Sequence, residues 1–354
     1  MLGEDERKRR VNGVLSAASR LADPGDPLGR EARARLPAVT GLSPQGVQLG
    51  LVRHVETAVS DGEMKLLLSR AGTAPHVHVV LSANVFVGAV RALAIAVAAA
   101  PRVSVRSSRR EAVMADLLVR ALAEGEGPSA GVDVVGAVDP KPGDAVHVYG
   151  RRESIDAVAR AAPAGVRVRG HGPGFGIAIL DSDGGAAERL SWDVVPFDQR
   201  GCLSPRIVIF CGPSGPAKAF CMRLAAELGA READVPRGRL DEEEIASATL
   251  YRETMRAAGY HIDGDSFAIG FDPSPRQLLL PPTGRHVHVA CAGSPGDVTA
   301  LLEPFRSGIT AIGALGRGPA VQAAIALAPR ARSPALGQMQ RPPLDGPIDL
   351  RDVE

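Results

Sequence analysis

The sequence predicts an α/β protein with doubly wound, largely parallel sheets, and three observations predict it. Val-rich runs of strand length alternate with runs of helix length from residue 76 onward. The apolar 45% is carried by Ala, Val and Leu, with only 3% aromatics, which suits an α/β protein better than an aromatic-rich β-sandwich. The 40 Gly and 28 Pro supply the many turns such an alternation needs. At 354 residues the chain is long enough for about two domains, taken as 1–190 and 191–330 with a tail over 331–354 packing back on the first.

Up to about Gly72, helical patterns broken by Pro and Gly form a lead-in, with GLSPQGVQLGLVRHVET read as a loop in which Ser43-Pro44 starts a helix. The β-α-β series then runs HVHVVLSA (strand), 85–99 (helix), RVSVRSS (strand), 111–123 (helix), DVVGAV and DAVHVYG (strands), 154–162 (helix) and VRVRG (strand). A second series has RIVIFCG as a strand, helices over 216–229 and 241–258, HVHVACA as a strand and a Gly-rich turn region to Gly318. The DEEE that opens the helix at 241 reads as a solvated N-terminus that suits the helix dipole. The tail SPALGQMQRPPLDGPIDL is too rich in Pro and Gly for helix, and is expected to lie extended across the first domain.

Charge excludes some classes of function. The 40 acidic and 41 basic side chains nearly cancel, so no global field draws in nucleic acid or an anionic membrane. The run 85–100 is apolar but carries Arg91 and is shorter than the ~20 residues of a membrane-spanning helix, so a buried helix is expected and no integral membrane segment. MLGEDERKRR is charged where a signal peptide needs an apolar stretch, and the four cysteines lack Cys-x-x-Cys or dense spacing; a cytoplasmic location is expected.

In an open parallel sheet, ligands gather at the carboxyl ends of strands. Three such ends carry small or polar residues here: Asn84 after the first strand, Arg106 to Arg109 with Ser108 after the second, and Gly150 with Ser154 after a later one. A Gly there admits phosphate or ribose to the backbone and the next helix offers N–H groups, although the Gly-x-Gly-x-x-Gly fingerprint is missing. Cys202, in FDQRGCLSP, lies in a loop-like segment where Gly201 permits an exposed backbone and Arg200 could favour a thiolate. A buried small hydrophobe is the competing reading. Cys211 and Cys221 fall within strand and helix patterns and look structural. His171, in RGHGPGFG, ends a strand where a side chain could face a cleft; His76, His78, His286 and His288 read as polar strand edges, and no metal site is expected.

FDQRGCLSP and the preceding WDV resemble the acyl-CoA reductase family of bacterial luminescence systems, a branch of the aldehyde dehydrogenase superfamily. The resemblance extends through VVLSANVFVGAVRALAIAVAAAPRVSVRSSRREAVMADLLVRAL and VHVYGRRESIDAVARAAPAGVRVRGHGPGFGIAIL to ALGQMQRPPLDG. It implies an aldehyde dehydrogenase-like fold of two Rossmann-like domains, nucleotide binding on the first and catalysis on the second. By position it makes Cys202 the acyl-accepting nucleophile and Asn84 a donor to the oxyanion; His171 is a further catalytic candidate from its strand-end place alone, against the reading of a turn histidine. Arg106, Ser108, Arg109, Gly150 and Ser154 fall to the cofactor. Arg106 stands where the superfamily has a lysine, and Arg109 where NAD-preferring members have a glutamate; a cation favours a 2′-phosphate, hence NADPH, with NADH second. RGHGPGFG replaces the Glu-Leu-Gly-Gly of hydrolytic relatives, which would protect a thioacyl enzyme from water. The expected activity is NADPH-dependent reduction of an acyl thioester, from acyl-CoA or acyl-protein, to an aldehyde; a homo-oligomer is compatible with it. A noncatalytic binding or scaffold relative is the alternative, because the lysine and the Gly150 loop depart from the family pattern.

Overall fold

The computed structural model describes residues 2–125 and 131–351. They form two units, Met1–Pro173 with Pro343–Glu354, and Gly174–Pro342.

The first unit opens with four helices, α1 (Glu4–Ala22), α2 (Pro27–Thr40), α3 (Pro44–Leu49) and α4 (Asp61–Ala71). Their ends follow local chemistry. The Ser43 hydroxyl accepts from the Gly46 N–H at 3.0 Å with Pro44 at the first helical position, and Ser60 and Glu63 form a capping box at the start of α4. The helix expected to start at Ser43-Pro44 is there, and it takes up most of the segment otherwise read as a loop, continuing through a π-turn over Gly50–His54. Then follow β1 (His76–Val80), α5 (Gly88–Ala99), β2 (Arg102–Arg106), α6 (Val113–Glu124), β3 (Val132–Val134), β4 (Ala145–Tyr149), α7 (Arg152–Ala161) and β5 (Arg167–His171). The sheet is parallel throughout, in the order β3-β2-β1-β4-β5. Every residue of α5 except Gly88 is buried, and α1 packs on it. Arg91 is buried there too: its guanidinium pairs with Glu56 and donates to the carbonyls of Pro343 (2.9 Å) and Gly346 (2.8 Å). The charge that interrupts the apolar run thus holds the end of the chain.

The second unit contains β6 (Phe175–Leu180), α8 (Ala186–Val194), β7 (Pro205–Cys211), α9 (Ser214–Asp234), α10 (Glu242–Ala258), β8 (His261–Asp263), β9 (Ala268–Asp272), β10 (His286–Ala292), α11 (Pro295–Leu302), β11 (Ile309–Ala314) and α12 (Pro319–Leu327). Its sheet runs β11-β6-β7-β10-β9-β8, parallel except for the β8–β9 pair. The division falls at 173/174 rather than near 190, because FGIAIL becomes a fully buried strand between β11 and β7. The region expected as Gly-rich turns up to Gly318 holds α11 and β11, since ITAIGA buries its apolar side chains against β6 and α12. The tail divides as well: Arg332 and Ala335 bridge to β11, and only from Pro343 does the chain belong to the first unit. Residues 352–354 of that tail lie outside the described residues. Among the described residues no helix is long and apolar enough to cross a membrane.

Candidate active site

Cys202 sits on a tight turn between α8 and β7. The Ser204 N–H donates to the Gly201 carbonyl at 3.1 Å, and Cys202 is half-buried near the head of that turn. Three consecutive non-glycine residues just before it, Phe197, Asp198 and Gln199, have φ of 56°, 50° and 64°. Left-handed backbone costs such residues roughly 1–3 kcal/mol each, so the surroundings must hold it in place. Gln199 does so by bridging two strands, its amide donating to Pro205 O (2.7 Å) and His286 O (2.8 Å) and accepting from His286 N–H (2.8 Å). Asp198 accepts from the Gly238 N–H at 2.9 Å and pairs with Arg285, itself at φ 68°. Phe197 is buried beside them.

Further along the turn, the Cys202 carbonyl accepts from the Thr310 hydroxyl of β11. A Cβ on Gly176 would overlap the Leu203 carbonyl oxygen, so β6 passes directly beneath the residue that follows the cysteine. FDQRGCLSP is therefore a strained turn clamped by β6, β7, β10 and β11. The Arg200 guanidinium lies against Glu244 (2.7 Å), the Arg239 carbonyl (2.8 Å) and Asp198 (3.6 Å). Glu244, expected as part of a solvated helix start, both caps α10 and holds that arginine. None of the four cysteines forms a disulfide, and burial pushes the thiols of Cys211 and Cys221 up to about 12 and raises that of Cys291.

Two further segments prove to be joined. The Asp193 carboxylate of WDV accepts from the N–H groups of Gly337 and of Met339 (2.8 Å), fastening the GQMQ segment beside the sheet. Burial pushes this carboxyl up to about 7, against the pull of those backbone donors. Met339 is fully buried, and its side chain lies where a Cβ on Gly176 or Gly313 would go.

In the first unit, six predicted residues share one sheet edge. Asn84 is exposed on the loop after β1, Arg106 ends β2 with Ser108 and Arg109 beyond it, Gly150 follows β4, and Ser154 lies in the first turn of α7. Since β2, β1 and β4 are adjacent, and the strand order reverses beside β1, this is the switch-point edge where α/β sheets take ligands. The Ser107 hydroxyl there is buried without a hydrogen-bond partner among the described residues. Glu111 is buried and turned onto the N–H of Met114 (2.8 Å), leaving exposed Arg109 and Arg110 to set the charge of the loop. Gly150 is under no steric demand, because an added Cβ would make only ordinary contact with Ser154.

His171 is not displayed on a loop. It closes β5 with its ring stacked on Tyr149 (centroids 4.4 Å, 18°) and edge-on to His147 (6.2 Å), and burial lowers it to about 4. Nor are the β10 histidines polar edges: His286 and His288 are buried around Tyr251, each lowered by burial to about 4.

The acyl-CoA reductase (LuxC) family profile matches residues 68–352. The chain belongs to the LuxC acyl-CoA reductase family. It is thus an oxidoreductase acting on aldehyde and acyl groups, and its fold is that of the aldehyde dehydrogenases. Among solved structures it is similar to an aldehyde dehydrogenase of Mycobacterium tuberculosis complexed with NAD+ (15% identity, 94% of this chain and 77% of that one, TM-score 0.66). An oxidoreductase from Marinobacter aquaeolei is similar at 12% identity, over 93% of this chain and 78% of that one, with a TM-score of 0.71. So is an NADP-dependent glyceraldehyde-3-phosphate dehydrogenase from Bacillus halodurans C-125 complexed with NADP (13%, 94% and 78%, TM-score 0.65). No curated protein sequence matches the LuxC-family chain.

Proposed function

We propose that this acyl-CoA reductase uses NADPH to reduce an acyl thioester to an aldehyde through a thioacyl group on Cys202. The observation that carries the reading is the turn of Cys202: strained backbone fixed by Asp198, Gln199 and Thr310 displays this cysteine, while burial holds the thiols of Cys211, Cys221 and Cys291 in the protonated form.

The Cys202 thiolate attacks the carbonyl carbon of the thioester. The developing oxyanion is received by the Cys202 N–H, with Asn84 the side-chain donor that the family resemblance implies, and its collapse breaks the bond to the leaving thiolate. NADPH, when bound, supplies the hydride that brings the acyl carbon to the aldehyde level. Loss of the Cys202 thiolate from the resulting thiohemiacetal releases the aldehyde, so acyl thioester, NADPH and a proton become aldehyde, NADP+ and thiol. The residues after β2 suit the cofactor. The unpartnered Ser107 hydroxyl and the Ser108 and Arg106 positions offer polar contacts to the ribose, and exposed Arg109 offers a cation to a 2′-phosphate. Gly150 and Ser154, at the start of α7, complete that edge. His171 takes no part in proton transfer in this scheme, because its ring is buried against Tyr149.

Oxidation of NADPH with a panel of acyl-CoA thioesters of increasing chain length tests the reading. Turnover that yields aldehyde and disappears in Cys202→Ser is expected; turnover that survives in Cys202→Ser would overturn it.

A further inference from the structure

At the opposite, amino-terminal edge of the first sheet, three ligand-type side chains meet. His76 and His78 stand two residues apart on β1 and so project from the same face. Asp144 immediately precedes Ala145, the partner of Val77, which brings its carboxylate to the same corner from 66 residues away. One nitrogen of each ring and one carboxylate oxygen all lie within 4.8 Å of one another. The His rings are 4.0 Å apart, and both His78 and Asp144 are buried.

Hydrogen bonding accounts for this corner only in part. His78 Nε2 is 3.3 Å from Asp144 Oδ2, just beyond the usual range of about 2.7–3.2 Å for N–H···O. His78 Nδ1 is buried with no hydrogen-bond partner among the described residues, an orphan that native interiors seldom leave. The outer contacts are those a metal site uses to orient its ligands: Ser104 Oγ is 2.9 Å from His76 Nε2, and the Lys141 N–H donates to Asp144 Oδ2 at 2.8 Å. Ser104 pairs with Asp133 on β3, so a second carboxylate flanks the corner. One cation competes there: Arg102 Nη2 lies 3.1 Å from His76 Nδ1.

We propose that His76, His78 and Asp144 form a binding site for a divalent transition metal of the zinc type, at the edge of the first sheet remote from the strand ends that carry the cofactor residues. Two imidazoles and one carboxylate suit Zn2+ or Co2+ and not Mg2+ or Ca2+, which require oxygen donors. Three protein ligands leave at least one position for water or an outside donor. The site ties β1 to β4 and takes no part in the thioester reaction.

Titration of the chelator-treated full chain with Co2+, followed by its visible absorption, and then with Zn2+ by calorimetry tests the site. The background is Cys202→Ser, so that this thiol does not compete. The result expected is saturable binding of one ion per chain, weakened at least about 100-fold in His76→Asn, a half-exposed position whose substitution leaves the circular dichroism unchanged. Arg102→Ala, which removes the competing guanidinium, tightens binding several-fold. Absence of saturable binding, or equal affinity in the parent and a folded His76→Asn, would overturn the proposal.

Discussion

Asp198 Oδ1 and Arg285 Nη2 lie 2.8 Å apart with both side chains withdrawn from solvent. Each residue has positive φ, and the Gly284 N–H donates to the Asp198 carbonyl at 2.9 Å, so the ion pair joins two strained loops at the heads of β7 and β10. Removal of Asp198 leaves Arg285 with one carboxylate, Glu232, 2.7 Å from its Nη1. Asp198→Ala is therefore expected to lower the unfolding free energy by about 1.5–3 kcal/mol, the worth of a hydrogen bond to a charged group. Chemical denaturation checks it, and a loss below about 1 kcal/mol would show that the pair does not hold the turn.

Gly176→Ala sets a methyl group against the Leu203 carbonyl, one residue beyond Cys202. The backbone oxygen cannot swing aside as a side chain would, so the turn itself must move. A shift of about 1 Å in a reacting group costs on the order of 100-fold in rate. The expected outcome is a fall in kcat of that order in a folded protein, read from steady-state kinetics beside a melting curve; unchanged kcat would contradict it.

The buried histidines make both units acid-sensitive. His147 is lowered to about 3, and His171, His286 and His288 to about 4, with burial the largest cause in each. In the unfolded chain they titrate near 6.5, so between about 6.5 and 4 the unfolded state binds more protons than the folded one. Stability conferred by the neutral rings is complete above about 6.5 and is lost as the pH falls towards 4. The denaturant midpoint should drop across that window, and less so in His171→Phe, which keeps a ring on Tyr149 without the titration. Equal slopes in the two proteins would contradict this.

Arg109 is the exposed cation three residues beyond the end of β2. Arg109→Glu is expected to raise KM for NADPH by at least about 10-fold, the loss of a charge-assisted contact worth roughly 1.5–3 kcal/mol, and to leave KM for NADH unchanged or lower. Parallel kinetics with the two nucleotides check it, and an equal effect on both would remove Arg109 from the 2′-phosphate.

The order of strands and helices in the first unit was legible because each Val-rich run is short and each helix periodic; β1, β2 and β4 fall within the runs read as strands, and β5 runs one residue past its own. In the second unit β6, β8, β9 and β11 have no counterpart among the runs read as strands, and three of them carry glycine. Their glycines, such as Gly176 and Gly313, look like turns in a sequence, yet here they admit neighbouring backbone or Met339 into the sheet. The position of Cys202 on a turn was legible from its Gly and Pro neighbours; what holds that turn was not. Gln199, Asp198 and Thr310 act through partners 6 to 108 residues away, and no local pattern records such pairings. Arg200 is a further case, since its partner Glu244 lies 44 residues on. Asp144 cannot be placed beside His76 and His78 from sequence, because only the register of β4 beside β1 brings it near.

The central claim is that Cys202 carries the acyl group, and intact-protein mass spectrometry with peptide mapping tests it most directly. Incubation with an acyl-CoA in the absence of nicotinamide cofactor should add the mass of one acyl group to the peptide that contains Cys202, and addition of NADPH should discharge it as aldehyde. Acylation of Cys211, Cys221 or Cys291 in its place, or turnover without any acyl-enzyme at Cys202, would contradict the account.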